Sequence, residues 1–215
     1  MKFIDFFAGV GGFRRGMELA GHECVGFCEF DKFATASYTS MHLLTQEQRE
    51  FLDKMPLKQR QKEILKEEYR NGEWYANDIR RVYARDIPRA DCWCFGFPCQ
   101  DISVAGKQLG FQGNRSSLFF RVMYLIGQLE EENRPTYLFI ENVKNLLSVN
   151  GGWDFARLLI EMERGGMMQN GKCSTPKISE CHRTEKGVSL SDILEAEAPQ
   201  KYFLSKEQTE KIVFK

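Results

Sequence analysis

The chain has 215 residues, of which 42% are apolar and 28% charged, a balance that is typical of a globular protein with a hydrophobic core. No apolar run approaches the roughly 20 residues that a membrane span requires, and a strand pattern begins at once where a signal peptide would stand, so we expect a cytoplasmic protein. The 30 basic and 30 acidic residues give a net charge of zero. The chain therefore lacks the basic surplus that is usual in a protein that holds DNA by itself.

Residues 1–42 predict the opening of a doubly wound α/β sheet. An apolar strand over residues 2–7 runs into a glycine turn and a helix over 12–20. A second strand over 22–28 ends at Glu29, and another helix follows over 31–42. This order of elements is typical of open, mostly parallel sheets that bind ligands at the carboxyl ends of their strands.

The middle of the chain continues the pattern after a charged segment. Residues 45–70 are rich in Gln, Glu, Lys and Arg and predict exposed helix, and we assign 45–74 to a helical insertion. The further predictions are strands over 75–77, 90–95 and 136–140 and helices over 116–132 and 153–164.

From residue 165 the periodicity is lost. A short helix over 189–196 is the one regular element that this part of the sequence predicts. We therefore divide the chain into a sheet domain, residues 1–164, and an irregular segment, residues 165–215.

The seven cysteines do not predict a disulfide framework, because their number is odd and the chain lacks secretory features. Four of them lie in predicted strands, where we expect small buried hydrophobes: Cys24, Cys28, Cys92 and Cys94. Cys173, Cys181 and His182 lack paired Cys-x-x-Cys spacing, so we expect no metal site.

Three strand ends predict a ligand site at one edge of the sheet. Gly9, Gly11 and Gly12 let a ligand approach the backbone, and the helix that follows offers free N–H groups. Glu29 stands where an acidic side chain accepts hydrogen bonds from ribose hydroxyls. Asp78, after the next strand, either binds an adenine amino group or caps a turn.

Cys99 and Glu141 are the candidates for chemistry. Cys99 lies in a loop after an apolar strand, with Pro98 fixing the loop entry, and a thiolate there would be strongly nucleophilic. None of the three histidines is near it in sequence, which leaves a Cys–His pair poorly supported. Glu141 follows a strand, where burial would raise its pKa. A structural cysteine and a helix-capping glutamate are the alternatives.

In this order, these segments resemble the DNA (cytosine-5) methyltransferase family. The resemblance extends over roughly residues 1–160. Its segments are the S-adenosylmethionine loop at 5–13, the ribose-binding strand end at 28–31, the adenine contact at 77–79, the catalytic loop at 96–103 with 105–107, the start of the next helix at 115–119, and the catalytic glutamate at 140–143.

The resemblance implies an S-adenosylmethionine-dependent, Rossmann-like fold that methylates C5 of cytosine in double-stranded DNA, in a restriction-modification or other DNA-modification setting of a bacterium or phage. Cys99 would add to C6 of the base, and Glu141 would hydrogen-bond or protonate N3. The implied cofactor-binding residues are Phe7, Ala8, Gly9, Gly11, Gly12, Glu29, Phe30, Asp78, Ile79 and Pro98. The implied DNA contacts are Gln100, Ser103, Lys107 and Arg115.

Two segments of the family find no counterpart here, and one of them is the C-terminal Gly-Asn-containing segment that packs back against the cofactor in the family. A Gln-x-Arg-x-Arg segment normally follows, but after Arg164 the sequence continues with Gly165 and Gly166. Residues 189–205 resemble the linker toward the family's recognition domain, so we expect the catalytic half of the enzyme.

Several alternatives stay open. The chain is a split enzyme whose second chain supplies target recognition, a truncated product, or a degenerate homologue that only binds the cofactor or a partner. An RNA cytosine-5 methyltransferase would use the same thiolate chemistry. A cofactor-using oxidoreductase would leave Cys99 and Glu141 unexplained.

Overall fold

A computed structural model describes residues 1–97, 118–143, 146 and 149–167, together with the strands at 171–174, 186–188 and 209–214. The chain divides into two compact units, residues 1–95 and 96–215. The predicted boundary after residue 164 stays a prediction.

The first unit is built on parallel strands in the order β3-β2-β1-β4. These strands are β1 (Lys2–Phe6), β2 (Glu23–Cys28), β3 (Trp74–Ala76) and β4 (Cys92–Gly96, whose last residue opens the second unit). Side chains on both faces of β1 are fully buried, including Phe3, Ile4 and Phe6, as expected for a strand covered on both sides. Because β2 and β4 both pair in parallel with β1, the strand order reverses at β1, and open α/β sheets bind ligands at such a point.

The helices that follow the first two strands lie close to their predicted positions. They are α1 (Gly12–Leu19) and α2 (Lys32–His42). Asp31 begins α2, because its carboxylate accepts hydrogen bonds from the backbone N–H groups of Phe33 and Ala34, both at 2.8 Å. The predicted strand–turn–helix–strand opening is therefore confirmed.

The charged segment after α2 forms more than an exposed helix. It contains α3 (Gln46–Asp53), α4 (Leu57–Glu63) and a 3₁₀ turn (Glu67–Arg70). Leu52, Ile64 and Tyr69 pack into a small buried cluster. These three buried residues are widely spaced among many charged ones and give little periodicity, which is why the sequence indicated solvated helix alone.

The second unit begins with elements that the sequence predicted with different ends. They are α5 (Leu118–Gly127), a 3₁₀ turn (Glu131–Asn133), β5 (Tyr137–Val143), a 3₁₀ turn (Val149–Gly152) and α6 (Trp153–Arg164). The predicted apolar face of α5 is confirmed, since Val122, Leu125 and Ile126 are buried. However, α5 ends at Gly127 and not at residue 132, and β5 extends three residues beyond Ile140.

The segment predicted to be irregular from residue 165 contains three strands. They are β6 (Gly171–Ser174), β7 (Lys186–Val188) and β8 (Thr209–Phe214), and the strand order with β5 is β5-β8-β6-β7. All three pairings are antiparallel, and β8 pairs with β5 from Leu138 to Val143. Strands this short show no alternation by themselves, and partners distant in sequence stabilise them. The predicted helix over 189–196 lies outside the described residues.

Within the described ranges, no helix has the length and apolar character needed to cross a membrane.

Candidate cofactor and catalytic site

The glycine turn after β1 has an unusual backbone. Gly9 and Gly11 have φ angles of +55° and +88°, and Phe7, which is not glycine, has φ of +56°. Large side chains adopt this left-handed region only where the surrounding structure enforces it, and such strain clusters at ligand sites. The backbone N–H of Ala8 donates to the carbonyl of Cys28 at 3.1 Å, so the turn begins as a continuation of the sheet. The turn thus has a defined, strained shape and stands at the edge where open α/β sheets bind ligands.

Glu29 holds this turn in place. One carboxylate oxygen accepts a 2.7 Å hydrogen bond from the backbone N–H of Gly9, and the other accepts one of 2.7 Å from Asp31. The backbone N–H of Glu29 itself donates to the carbonyl of Ala76 in β3 at 3.1 Å. A carboxylate offers about four lone pairs, so two remain for a ligand. Glu29 therefore links the chain segments at the ends of β1, β2 and β3. It keeps the capacity to accept hydrogen bonds from ribose hydroxyls.

Asp78 caps a turn, which was one of its two predicted roles. Its carboxylate accepts a hydrogen bond from the backbone N–H of Arg80 at 3.0 Å and two from the guanidinium at 2.8 and 2.9 Å. The hydrogen bond to the Arg80 side chain lowers the pKa of Asp78, so this carboxylate is charged at neutral pH. The same guanidinium lies 5.5 Å from the ring centroid of Phe30, which is 73% exposed. An open aromatic ring thus lies next in sequence to Glu29 and close to the arginine that holds Asp78.

His42 supports the glycine turn and was not singled out in the sequence. Its Nε2 lies 2.9 Å from the carbonyl oxygen of Val10. A Cβ at Gly11 would lie 2.7 Å from Cδ2 of His42 and 3.0 Å from Cδ2 of Tyr38. Tyr38 and His42 are one helical turn apart on α2, which is the sequence signal that they share a face. Gly11 is therefore required both by its backbone angle and by the side chains against it.

Asp5 is a buried carboxyl group beneath the turn. Its side chain is fully buried, with Oδ2 accepting a 3.3 Å hydrogen bond from the backbone N–H of Arg14, while Oδ1 has no partner. Burial raises the pKa of Asp5 well above its ordinary value, against the lowering effect of Arg14. Because Gly11 gives α1 no side-chain cap, Asp5 supplies the carboxyl oxygen that caps its first turn.

In the second unit, Glu141 lies against the start of the predicted catalytic loop. A Cβ at Gly96 would be 2.9 Å from Oε2 of Glu141, so the carboxylate reaches the space that glycine leaves open. The neighbouring Asn142 is buried and donates a 2.6 Å hydrogen bond from Nδ2 to the carbonyl of Phe97. Phe97 packs on Phe119 of α5, with ring centroids 5.1 Å apart. The end of β5 thus fixes the two residues from which the loop departs.

Some of the predicted site residues lie outside the described ranges, and others are described but have buried side chains. Pro98, Cys99 and all four predicted DNA contacts (Gln100, Ser103, Lys107 and Arg115) lie outside the described residues. The side chains of Ala8 and Ile79 are 8% and 2% exposed, so these residues can offer a ligand only their backbone.

The four cysteines of the predicted strands are buried, as expected. Burial raises the pKa of Cys24 to about 11 and that of Cys28 to about 12, which makes both thiols poor nucleophiles. Among the described residues there is also no group of three His, Cys, Asp or Glu side chains arranged to hold a metal ion.

Comparison with solved structures supports the fold. The chain aligns over its full length with a Dnmt2 methyltransferase from S. pombe, at a TM-score of 0.53, 14% identity and 48% coverage of that chain. It also aligns over its full length with a putative DNA modification methyltransferase encoded in an E. coli prophage, at a TM-score of 0.54, 16% identity and 46% coverage of that chain. At these identities the likeness concerns the fold, and the predicted α/β methyltransferase fold is confirmed.

Comparison of sequences gives closer relatives. The chain is 36% identical over 152 residues to the type II methyltransferase M.HhaI of Haemophilus parahaemolyticus, covering 71% of this chain and 36% of that protein. It is 32% identical over 164 residues to the type II methyltransferase M.DsaV of Dactylococcopsis salina, covering 76% and 37%. The chain therefore spans about a third of the length of these relatives.

The family comparison covers the residues of both candidate sites. The model for C-5 cytosine-specific DNA methylases matches residues 1–66 and 54–170, which include the glycine turn, Glu29, Asp78, Cys99 and Glu141. The match extends over most of the chain and agrees with the fold and with the relatives above. The chain belongs to the C-5 cytosine-specific DNA methylase family.

Proposed function

We propose that the chain carries the methyl-transfer chemistry of its family: it methylates C5 of cytosine in double-stranded DNA, with S-adenosylmethionine as methyl donor. The observation that carries the proposal is the carboxylate of Glu141 against Gly96, three residues before Cys99. Glu141 thus lies beside the residue at which the loop of Cys99 begins. This placement suits a mechanism in which Cys99 is the nucleophile and Glu141 the general acid toward the same base. The fitting cellular setting is DNA modification in the cytoplasm of a bacterium or in a phage-infected cell.

The residues of the first unit fit the methyl donor. The strained turn from Phe7 to Gly12 lets a ligand approach its backbone closely, and Glu29 keeps lone pairs for ribose hydroxyls. The exposed ring of Phe30 and the carboxylate of Asp78 suit an adenine base. When bound, the donor supplies an electrophilic methyl group on a sulfonium.

The chain's own residues would perform the remaining steps on a cytosine flipped from the duplex, which costs a few kcal/mol. The Cys99 thiol loses its proton, and the thiolate forms a bond to C6 while Glu141 gives a hydrogen bond or proton to N3. C5 then becomes nucleophilic and accepts the methyl group. Loss of the C5 proton to a base such as water re-forms the C5–C6 double bond and breaks the C6–S bond, which returns Cys99 as thiolate, and any proton given to N3 returns to Glu141.

The experiment traps this adduct. The chain is incubated with S-adenosylmethionine and duplex DNA of random sequence in which 5-fluorocytosine replaces cytosine, because fluorine at C5 cannot leave as the proton does. We expect a complex that survives denaturing electrophoresis, is absent for Cys99→Ser and is weakened for Glu141→Gln. Cys181→Ser, outside the matched residues, is the control and should leave the complex intact.

The net charge of zero gives the chain little affinity for phosphates by itself, so a second chain that supplies target recognition is part of the proposal. The trapping reaction is therefore run alone and with the product of the adjacent reading frame. A complex in either reaction supports the chemistry, and a complex only in the mixture supports the second chain. No complex in either reaction would refute the catalytic proposal, and binding of the donor alone would then favour a cofactor-binding protein.

A further inference from the structure

A charged side chain of α1 is buried in an ion-pair network. The side chain of Arg14 is 7% exposed, and its guanidinium donates to both carboxylate oxygens of Glu73 at 2.7 and 2.8 Å. Its Nε donates to Glu18 at 2.8 Å, and Nη1 lies 3.4 Å from the hydroxyl of Tyr38. Burying such a pair contributes little net stability because both ions lose their hydration, whereas its two-point geometry fixes position.

The partners of Arg14 come from separate parts of the first unit. Its backbone N–H is bonded to Asp5 in β1, while its side chain reaches Glu73, the residue directly before β3. β3 follows Glu73 directly and ends at Ala76, two residues before Asp78. One residue therefore ties the helix that follows the glycine turn to the strand that leads to Asp78.

Few side chains of α1 are fully buried. Of its eight residues only Arg14 and Met17 are buried, and Leu19 is 71% exposed. Burial of one methionine stabilises by about 1.5–3 kcal/mol but is not directional. The Arg14–Glu73 pair is the directional contact between α1 and the start of β3.

We propose that Arg14 and Glu73 are positioning residues for the methyl donor: without touching it, they hold the glycine turn at a fixed distance from the strand that carries Asp78. This inference rests on the proposed function, since it concerns the same ligand. It adds two residues, 59 positions apart, to those that determine donor affinity.

The test uses Arg14→Lys, which keeps the charge but cannot make the two-point contact, and Glu73→Gln, which keeps the shape but loses the charge. Arg60→Lys, which alters an exposed pair with Asp53 in the insertion, is the matched control. For both test variants we expect calorimetry to give a roughly tenfold larger dissociation constant for S-adenosylmethionine. This is a loss of about 1.4 kcal/mol in binding free energy. The rate of adduct formation at saturating donor should stay within twofold, a split that a general loss of structure would not produce.

Hydrogen exchange on the free protein separates this inference from the proposed function. Residues 7–16 should exchange about tenfold faster in Arg14→Lys than in the wild type, with no such change in Arg60→Lys. Equal exchange in both variants, or unchanged donor affinity, would overturn the positioning role. Absence of donor binding in the wild type would instead overturn the proposed cofactor, while the exchange result would still decide whether the pair holds the turn.

Discussion

Gly11 is the position where a single methyl group should disturb the site most. In Gly11→Ala the left-handed backbone angle costs roughly 1–2 kcal/mol. The new Cβ would also contact Nε2 of His42, and would lie 2.7 Å from Cδ2 of His42 and 3.0 Å from Cδ2 of Tyr38. Tyr38 is fully buried and stacked on Phe27 at 4.0 Å, so it cannot move away, and overpacking of this kind costs typically about 1–3 kcal/mol more. We expect a total loss of about 2–5 kcal/mol in the free energy of unfolding.

Two neighbouring glycines provide matched controls. Gly9 has φ of +55° but nothing within 4 Å of an added Cβ, so Gly9→Ala should cost only the roughly 1–2 kcal/mol of backbone strain. Gly12 begins α1 with neither constraint, so Gly12→Ala should be neutral or stabilise by about 0.5–1 kcal/mol. Adding His42→Ala to Gly11→Ala should recover part of the steric loss and none of the backbone strain.

Urea unfolding followed by circular dichroism measures these free energies, and calorimetry with S-adenosylmethionine measures their effect on the ligand site. The expected order of stability is Gly12→Ala, Gly9→Ala, then Gly11→Ala. If Gly11→Ala were no less stable than Gly9→Ala, or if His42→Ala gave no recovery, the account of the turn as packed against α2 would be wrong.

Two further predictions concern buried polar groups. Because burial raises the pKa of Asp5, the folded chain keeps a proton that the unfolded chain loses above about pH 4, and the free energy of unfolding should fall as pH rises from there. Asp5→Asn removes this term, so urea unfolding from pH 4 to 7 should show the variant gaining stability relative to the wild type; a difference independent of pH would contradict this. Asn142→Leu leaves the carbonyl of Phe97 without its donor, which should cost about 1–3 kcal/mol and reduce the trapped adduct. An adduct yield equal to that of the wild type would show that Asn142 does not hold the loop.

The elements of the first unit could be predicted because their signals are local. Glycines after an apolar run identify the turn at Gly9. Gly21 predicts that the first helix ends at residue 20, one residue after its observed end at Leu19. The extension of β5 to Val143 could not be predicted in this way. It depends on pairing with β8, about 70 residues later, which makes a strand of residues that have no apolar alternation.

In the candidate site, too, the residues with local sequence signals could be predicted and their partners distant in sequence could not. Glu29 and Asp78 were identified from their places after strands, and the structure brings Glu29 to the glycine turn. The partners that hold these residues were not foreseen: His42 is 32 positions from Val10, and Glu73 is 59 positions from Arg14. A charged residue on a short amphipathic helix usually faces solvent, so nothing in the sequence near Arg14 indicates a buried pair.

The double engagement of Glu29 changes how mutations at the site should be interpreted. Its carboxylate already accepts hydrogen bonds from the backbone of Gly9 and Asp31, so it shapes the turn before any ligand arrives. Loss of donor affinity in a Glu29→Ala variant would therefore combine a lost ligand contact with a displaced turn. Hydrogen exchange at Gly9 in the free protein separates the two, because a contact made only to ribose leaves the free turn unchanged. The acidic strand end that the sequence associates with a nucleoside thus has a structural role of its own, and we expect the affinity for the donor to depend on both roles.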